Sequence, residues 1–166
     1  SALAAADFPA DMEDDFKFPM VRIKMDSKYS YPSWQDFSEM FPDEKDDDAF
    51  NDALDELTGE DPENPDDRSQ LLGWPDIIQN NMTLQCELIS RGHYLGGSWE
   101  NIPMEDRSAL RTPSVREWQL LFQLDTVENG DFELMFGDCG RIYFYIRRED
   151  LVQRRFDRVW LIQQCC

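Results

Sequence analysis

The sequence predicts an α+β domain on a mostly antiparallel sheet, a meander of four to five strands. Short helices are expected at the sheet edge and in an acidic N-terminal region. In 117–127 the apolar residues Trp118, Leu120, Phe122 and Leu124 share one face, and in 141–147 aliphatic and phenyl side chains alternate with tyrosines, which is the period of a strand. Asn129-Gly130 is a tight-turn signal between such runs. Helical spacing of apolar residues occurs before residue 60, which places the helices in the acidic part.

The N-terminal residues predict a tail, a strand and a helix. Residues 1–15 are low in complexity and predict a tail or linker. In 17–25, apolar side chains alternate with basic ones, which predicts a half-buried strand. Ser33 is a candidate N-cap, and Trp34 and Phe37 continue the apolar face of the short helix that follows it.

A second helix is predicted over 43–59. Phe50, Leu54 and Leu57 share one face, and Gly59 stands where a C-cap glycine is expected. Residues 16–166 are predicted to form one domain that carries an acidic helical insertion at about 32–69.

The second half of the chain is predicted to hold most of the sheet. Residues 82–89 fit a strand or a helix, and 91–113 are rich in Gly, Ser and Pro and predict a long irregular loop. The remaining elements are strands, apart from one short helix at 149–156. The predicted strands are 117–127, 131–136, 141–147 and 158–164.

Charge excludes several function classes. The chain has 35 acidic and 16 basic residues, a net charge of −19. Binding to nucleic-acid phosphates or to anionic membranes depends on Lys and Arg, so neither partner is expected. No membrane span or signal peptide is apparent, and a cytoplasmic location is expected.

The acidity is concentrated in the N-terminal part. Residues 1–68 carry 21 acidic and 6 basic side chains, a net charge of −15, and the remainder has a net charge of −4. Such a segment serves either solubility or a basic protein partner. The residues predicted to bind that partner are aromatic and acidic: Trp34, Asp43, Glu44, Asp46, Asp47, Asp48 and Trp99.

No catalytic, metal or cofactor site is predicted. The chain lacks G-x-S-x-G, phosphate-loop and dinucleotide-binding motifs, and its acidic run lacks EF-hand spacing. The four cysteines contain no CxxC pair, and His93 is the single histidine, which disfavours zinc. An alternative interpretation is an enzyme for a small polar substrate that uses Asp125, Asp138 and Arg141.

A structural role is predicted for residues around two turns. Gly73 and Pro75 belong to a turn with aromatic anchors. In the second turn, Asp138 is expected to cap backbone N–H groups, and Gly140 gives the chain room to turn. Arg141 is expected to pair with Asp138 or Asp150.

Six blocks in order resemble the C-terminal part of the YwqG-like family, a bacterial domain of unknown function. They are LLGWPDIIQ (71–79), LQCEL (84–88), WQLLFQLD (118–125), FGDCGRIYF (136–144), DL (150–151) and FDRVW (156–160). Members usually have a further sheet-forming half before these blocks and a tryptophan where this chain has Phe136.

The resemblance implies a sheet-rich fold and a bacterial cytoplasmic setting, and it carries no catalytic residues. Relatives resemble immunity proteins of contact-dependent toxin systems in their genomic company. The sequence therefore favours a non-catalytic, acidic protein-binding domain, such as an immunity protein that neutralises a basic toxin. The alternatives are the C-terminal module of a larger protein and the enzyme described above.

Overall fold

The computed structural model describes residues 8–14, 17–18, 22–58, 68–96, 101–130 and 132–165. The helices are α1 Trp34–Met40, α2 Asp47–Thr58, α3 Thr83–Ser90, α4 Met104–Glu117 and α5 Arg148–Val152, with a 3-10 helix at Phe156–Arg158. The strands are β1 Gln70–Leu71, β2 Trp118–Leu124, β3 Val127–Asn129, β4 Phe132–Leu134, β5 Arg141–Arg147 and β6 Trp160–Gln164.

Four strands form an antiparallel sheet in the order β1-β2-β5-β6, which confirms the predicted α+β class. Trp118 lies opposite Arg147 and Leu124 opposite Ile142, with an irregularity between Leu120 and Phe122. The β3–β4 hairpin is a separate two-stranded sheet inserted between β2 and β5.

One face of the sheet is covered by α3. Trp118, Leu120, Tyr143 and Tyr145 point to that face and pack with Met82, Cys86 and Ile162 in the larger core cluster. The opposite side of α3 packs on α4 through a second cluster of Leu84, Leu88 and Ile102. Helix α3 is therefore apolar on two sides, which explains why its sequence fits a strand as well as a helix.

The last strand also binds the segment that leads into α3. Gln164 is buried, and its Oε1 accepts hydrogen bonds from the backbone N–H groups of Ile78 at 3.2 Å and Gln79 at 3.0 Å. Its Nε2 donates to the carbonyl of Asn80 at 2.7 Å. One amide side chain thus satisfies three backbone groups that belong to no helix or strand.

Two predicted elements are wrong. The strand predicted over 17–25 is absent from its described part, since 22–25 form no strand and Ile23 and Met25 are 75% and 63% exposed; residues 19–21 lie outside the described residues. The predicted loop at 91–113 contains most of α4, which begins at Met104 and includes Pro113. The helix forms because packing of Leu110 and Val115 overrides the breaker signal.

Candidate functional site

Helix α1 lies at the start of the predicted acidic region and is held by hydrogen bonds at both of its ends. The Ser33 hydroxyl accepts a hydrogen bond from the Asp36 N–H at 3.1 Å, which confirms Ser33 as the N-cap. Helix α4 holds the other end of α1, because Thr112 donates to the Glu39 carbonyl at 2.9 Å and Arg116 to the Met40 carbonyl at 3.1 Å. Cationic and hydroxyl donors at a helix C-terminus satisfy its last carbonyls and suit its dipole.

Helix α2 is attached to α1 by aromatic rings. The Phe50 ring lies 5.5 Å from the Trp34 ring and 4.8 Å from the Phe37 ring, measured between centroids. The helix begins at Asp47, later than predicted, because Asp46 Oδ1 accepts the Ala49 N–H at 2.9 Å and so acts as the N-cap. The predicted cap Gly59 lies outside the described residues.

Helix α2 and the residues before it form what we call the acidic surface. Its members are Asp43, Glu44, Asp46, Asp47, Asp48, Asp52, Asp55 and Glu56, and every one is exposed. Over 43–56 the sole basic residue is Lys45, whose ammonium group binds the carbonyl of Pro42. All 16 Lys and Arg of the chain lie in the described residues, and none of them pairs with an acidic side chain of this surface.

The structure describes one of the two tryptophans that were predicted to anchor a partner. Trp34 is half-buried between α1 and α2, where it contacts the rings of Phe37 and Phe50. Its role in binding a partner stays a prediction. Trp99 lies outside the described residues.

Arg141 binds neither of the carboxylates predicted for it. Its Nη1 lies 2.8 Å from Asp76 Oδ2, and its Nε lies 3.0 Å from Asp125 Oδ2 without good hydrogen-bond alignment. Burial alone would lower the pKa of Arg141, but the interactions with Asp125 and Asp76 outweigh it and raise that pKa. Asp76 was missed because it lies 65 residues away in sequence.

The other residues of the predicted structural motif are dispersed. Asp138 is exposed on the turn at 137–140 and does not contact the Arg141 cluster, while Gly140 is buried. Asp150 is buried in α5 and lies 3.7 Å from Arg155 Nε. The enzyme alternative therefore retains Asp125 and Arg141 in one ion cluster, without Asp138.

The turn at Gly73 and Pro75 joins the N-terminal region to the sheet. Gly73 has φ +80°, and a Cβ there would come within 2.3 Å of the Ser30 hydroxyl oxygen. That same hydroxyl accepts the Trp74 N–H at 2.8 Å, and Pro75 is buried. The positive φ favours glycine at this position, and a Cβ would displace the Ser30 hydroxyl that accepts the Trp74 N–H.

Two buried carboxylates were not predicted. Glu87 of α3 accepts hydrogen bonds from Trp118 Nε1 at 2.9 Å and Arg91 Nε at 2.6 Å. Asp36 of α1 is 1% exposed and accepts from the Ser33 hydroxyl at 2.9 Å. The signal available for Glu87 is a charged residue inside the apolar run 84–89, since buried charges in such runs require partners.

Asp36 makes the stability of the fold depend on pH. Burial raises the pKa of Asp36 above its ordinary value of 3.8 despite hydrogen bonds from Ser33 and Asn81. The folded state therefore binds this proton more tightly than the unfolded state does. The stabilisation that results is complete below pH 3.8 and is lost as pH rises through the raised pKa. As pH rises from 3.8 through the raised pKa, we expect the free energy of unfolding of Asp36→Asn to increase relative to that of the wild type. The relative increase should be about 1.4 kcal/mol for each unit by which the pKa is raised.

Urea titrations of both proteins at a series of pH values measure this difference. The matched control is Asp106→Asn, which makes the same change at an exposed position in the first turn of α4. A pH-independent gap between wild type and Asp36→Asn would show that burial does not perturb this group.

Within the described ranges, no three His, Cys, Asp or Glu side chains are grouped as a metal ion would require. No described helix combines the length and apolar character needed to cross a bilayer.

A family model described as "Domain of unknown function (DUF1963)" matches residues 5–165. The match extends to the N-terminal side of the six blocks that carry the YwqG-like resemblance and includes the acidic surface. Neither the curated proteins nor the solved structures contain a match to the chain.

Proposed function

Since the chain belongs to the DUF1963 family, whose description assigns no activity, we propose a function from its own surface: it binds a basic protein through the acidic surface, without catalysis. The observation that carries this proposal is the absence of any Lys or Arg partner for the eight carboxylates of that surface, although all 16 cations of the chain are described. Unpaired like charges repel each other, and a cationic partner would relieve that repulsion.

The attachment of α2 supports the same proposal. None of its residues is buried, and its ring contacts to α1 run through Phe50. The helix therefore exposes most of its circumference, including Leu57 at 69% exposure. An exposed apolar side chain on the same helix as these charges offers a partner a desolvated contact beside the electrostatic steering.

The proposal also has two more specific parts: the class of the basic partner, and the group within the family to which the chain belongs. We propose that the basic partner is a toxin, that the chain neutralises it as an immunity protein in the cytoplasm, and that the chain is a YwqG-like member of its family. The support is the order of the six sequence blocks and the sign of the charge. Co-expression with a captured toxic partner should restore growth of the host.

Affinity capture tests the binding proposal. The immobilised wild type should retain strongly basic proteins from a bacterial extract at low salt and release them near 1 M salt, where the Debye length is about 3 Å. The triple variant Asp46→Asn, Asp47→Asn, Asp48→Asn should lose them, with association about tenfold slower for each purified partner. Asparagine at position 46 preserves the N-cap, so α2 should remain folded.

The matched control removes the same number of charges elsewhere. It carries Glu105→Gln, Asp106→Asn and Asp157→Asn, all exposed and outside the acidic surface. Equal losses in both triple variants would reduce the effect to net charge and contradict the proposed surface. Retention that is insensitive to salt would contradict the electrostatic mechanism.

A further inference from the structure

A pocket of about 370 Å³ lies where the end of β5 meets α5, the 3-10 helix and the start of β6. Its lining includes two tryptophans, two aspartates and two arginines. The charges of the aspartates and arginines cancel, in a chain whose net charge is −19. The pocket is therefore locally neutral and large enough for a small polar ligand. The six side chains are Trp118, Trp160, Asp150, Asp157, Arg147 and Arg158.

One carboxylate of this pocket is buried and accepts no hydrogen bond. The Asp150 side chain is 3% exposed, and its closest cationic nitrogens are Arg155 Nε at 3.7 Å and Arg158 Nη1 at 3.9 Å. Both distances are too long for hydrogen bonds, and no other described residue donates to this carboxylate. Buried carboxylates in native proteins normally accept hydrogen bonds, so Asp150 requires a donor that the described residues do not supply.

The Asp150 oxygens are within reach of a molecule in the pocket. In the described part of the chain, the side-chain atoms that are both closed to solvent and unpaired belong to Glu39, Arg107 and Arg141. Asp150 is not among these residues, so its unpaired oxygens are open to the pocket that it lines. The missing donor can therefore come from an occupant of this pocket.

The two arginines near Asp150 have hydrogen-bonding capacity left. Arg155 and Arg158 balance the charge of the carboxylate, but neither guanidinium donates a hydrogen bond to a described residue. A guanidinium carries five N–H donors and no acceptor. An occupant that donates to Asp150 and accepts from Arg158 would satisfy both groups at once.

One tryptophan of the lining is left to contact a ligand. Trp118 is buried, and Arg147 lies over its ring at 4.6 Å from the centroid. The Arg147 guanidinium is itself paired with two glutamates. Trp160 is half-buried, and no described cation lies over its ring. Trp160 therefore provides the aromatic wall of the pocket.

We propose that this pocket binds a neutral mono- or disaccharide. One sugar hydroxyl would donate to Asp150 and a neighbouring one would accept from Arg158, because each hydroxyl group is both a donor and an acceptor. The C–H face of the sugar ring would pack on Trp160. No residue of the acidic surface lines the pocket, so this proposal does not depend on the function proposed above.

Other classes of ligand complement these groups less well. An anion would accept from Arg158 but would leave Asp150 without a donor. A small cation would donate to Asp150, yet the two arginines beside that carboxylate would repel it. An apolar ligand would exclude water from the carboxylate without replacing its hydrogen bonds. A nucleoside base needs a wide aromatic face for stacking, whereas Trp160 is half-buried.

Isothermal titration calorimetry with defined probes tests the proposal. The sugar probes are glucose, galactose, mannose, N-acetylglucosamine, maltose and cellobiose. The comparison probes are adenosine, inorganic phosphate and methylammonium, one for each competing polar class. At least one sugar should bind with a Kd of about 1 mM or tighter, and no comparison probe should bind.

Substitutions of the two hydrogen-bonding residues locate the sugar. Asp150→Asn and Arg158→Gln should each weaken binding of the best sugar by about tenfold or more. The matched controls are Asp106→Asn and Arg154→Gln, which make the same changes at exposed positions outside the pocket and should bind like the wild type. Arg158 is exposed, so Arg158→Gln keeps the test decisive if Asp150→Asn fails to fold.

Two substitutions of Trp160 test the contact with the sugar ring. Trp160→Phe retains an aromatic face and should bind the best sugar more tightly than Trp160→Leu does. Both variants remove the indole and keep an apolar side chain, so the difference between them reports the aromatic contact. Thermal unfolding checks that each variant is folded at the temperature of the titration.

Three outcomes would overturn the proposal. One is no heat of binding for any sugar probe up to about 10 mM, which would leave water as the partner of Asp150. Another is binding of adenosine, phosphate or methylammonium in place of the sugars. The third is sugar binding that survives both Asp150→Asn and Arg158→Gln, which would place the sugar elsewhere on the molecule.

Discussion

Glu87→Ala is expected to destabilise the fold by about 3–5 kcal/mol, because it removes one partner of a buried ion pair. Glu87 is 2% exposed and accepts hydrogen bonds from Trp118, Arg91 and Arg147. Arg147 also lies over the Trp118 ring, 4.6 Å from its centroid. Without the carboxylate, the buried Trp118 N–H loses its acceptor, and the Arg147 guanidinium keeps as its only ion-pair partner the half-exposed Glu117, beside the Ser90 hydroxyl.

Urea unfolding at neutral pH measures the loss. Burial would raise the pKa of Glu87, but hydrogen bonds from Trp118, Arg91 and Arg147 outweigh it and lower that pKa, so the carboxylate is ionised under these conditions. The control is Glu117→Ala, because Glu117 is the second partner of Arg147 and 55% of its side chain is exposed. It should cost less than about 1 kcal/mol. Equal losses for the two variants would contradict a special role for the buried carboxylate.

Gly140→Ala is expected to destabilise the fold by about 3 kcal/mol or more through steric overlap. A Cβ at this position would lie 1.9 Å from the Phe136 carbonyl oxygen and 2.6 Å from the Gln164 carbonyl oxygen. Both atoms are backbone, so relief would require the turn at 137–140 or the end of β6 to move. We therefore expect glycine to be needed at position 140 for the turn at 137–140 to pack against the end of β6.

Gly130→Ala is the matched control for this substitution. Gly130 has φ +61°, but no neighbouring atom lies within 4 Å of the place that a Cβ would take, so alanine there meets backbone strain alone, at about 1 kcal/mol. In thermal unfolding, Gly140→Ala should lower Tm by about 6–12 °C and Gly130→Ala by about 2–4 °C. Similar shifts for both would show that the backbone near Gly140 relaxes without cost.

The elements that sequence predicts best are those with local signals. Strand β5 was predicted with its observed bounds, because Ile142, Phe144 and Ile146 alternate with Tyr143 and Tyr145 directly after a glycine turn, a signal that is local in sequence. Helix α1 was predicted from its N-cap Ser33 and its aromatic spacing. The acidic surface could be predicted because solvated charge depends on sequence alone.

Features that depend on distant contacts could not be predicted. Helix α4 has a weak apolar pattern and contains Pro113, and it is stabilised by packing on α1 and α3. The ion partners of Arg141 come from two other segments, at Asp76 and Asp125. A polar groove bounded by α1, the residues before α3, α4 and the end of β6 combines side chains from four segments, and no periodicity in any one of them indicates a shared cavity.

The hydrogen bonds of Gln164 have a consequence for synthesis of the protein on the ribosome. They satisfy the backbone at 78–80, some 84 to 86 residues earlier in the chain. The nascent chain therefore exposes those peptide groups, and the backbone edge of β5, until translation reaches β6. Such late, long-range closure slows folding and lengthens the interval in which chaperones would act on the emerging polypeptide.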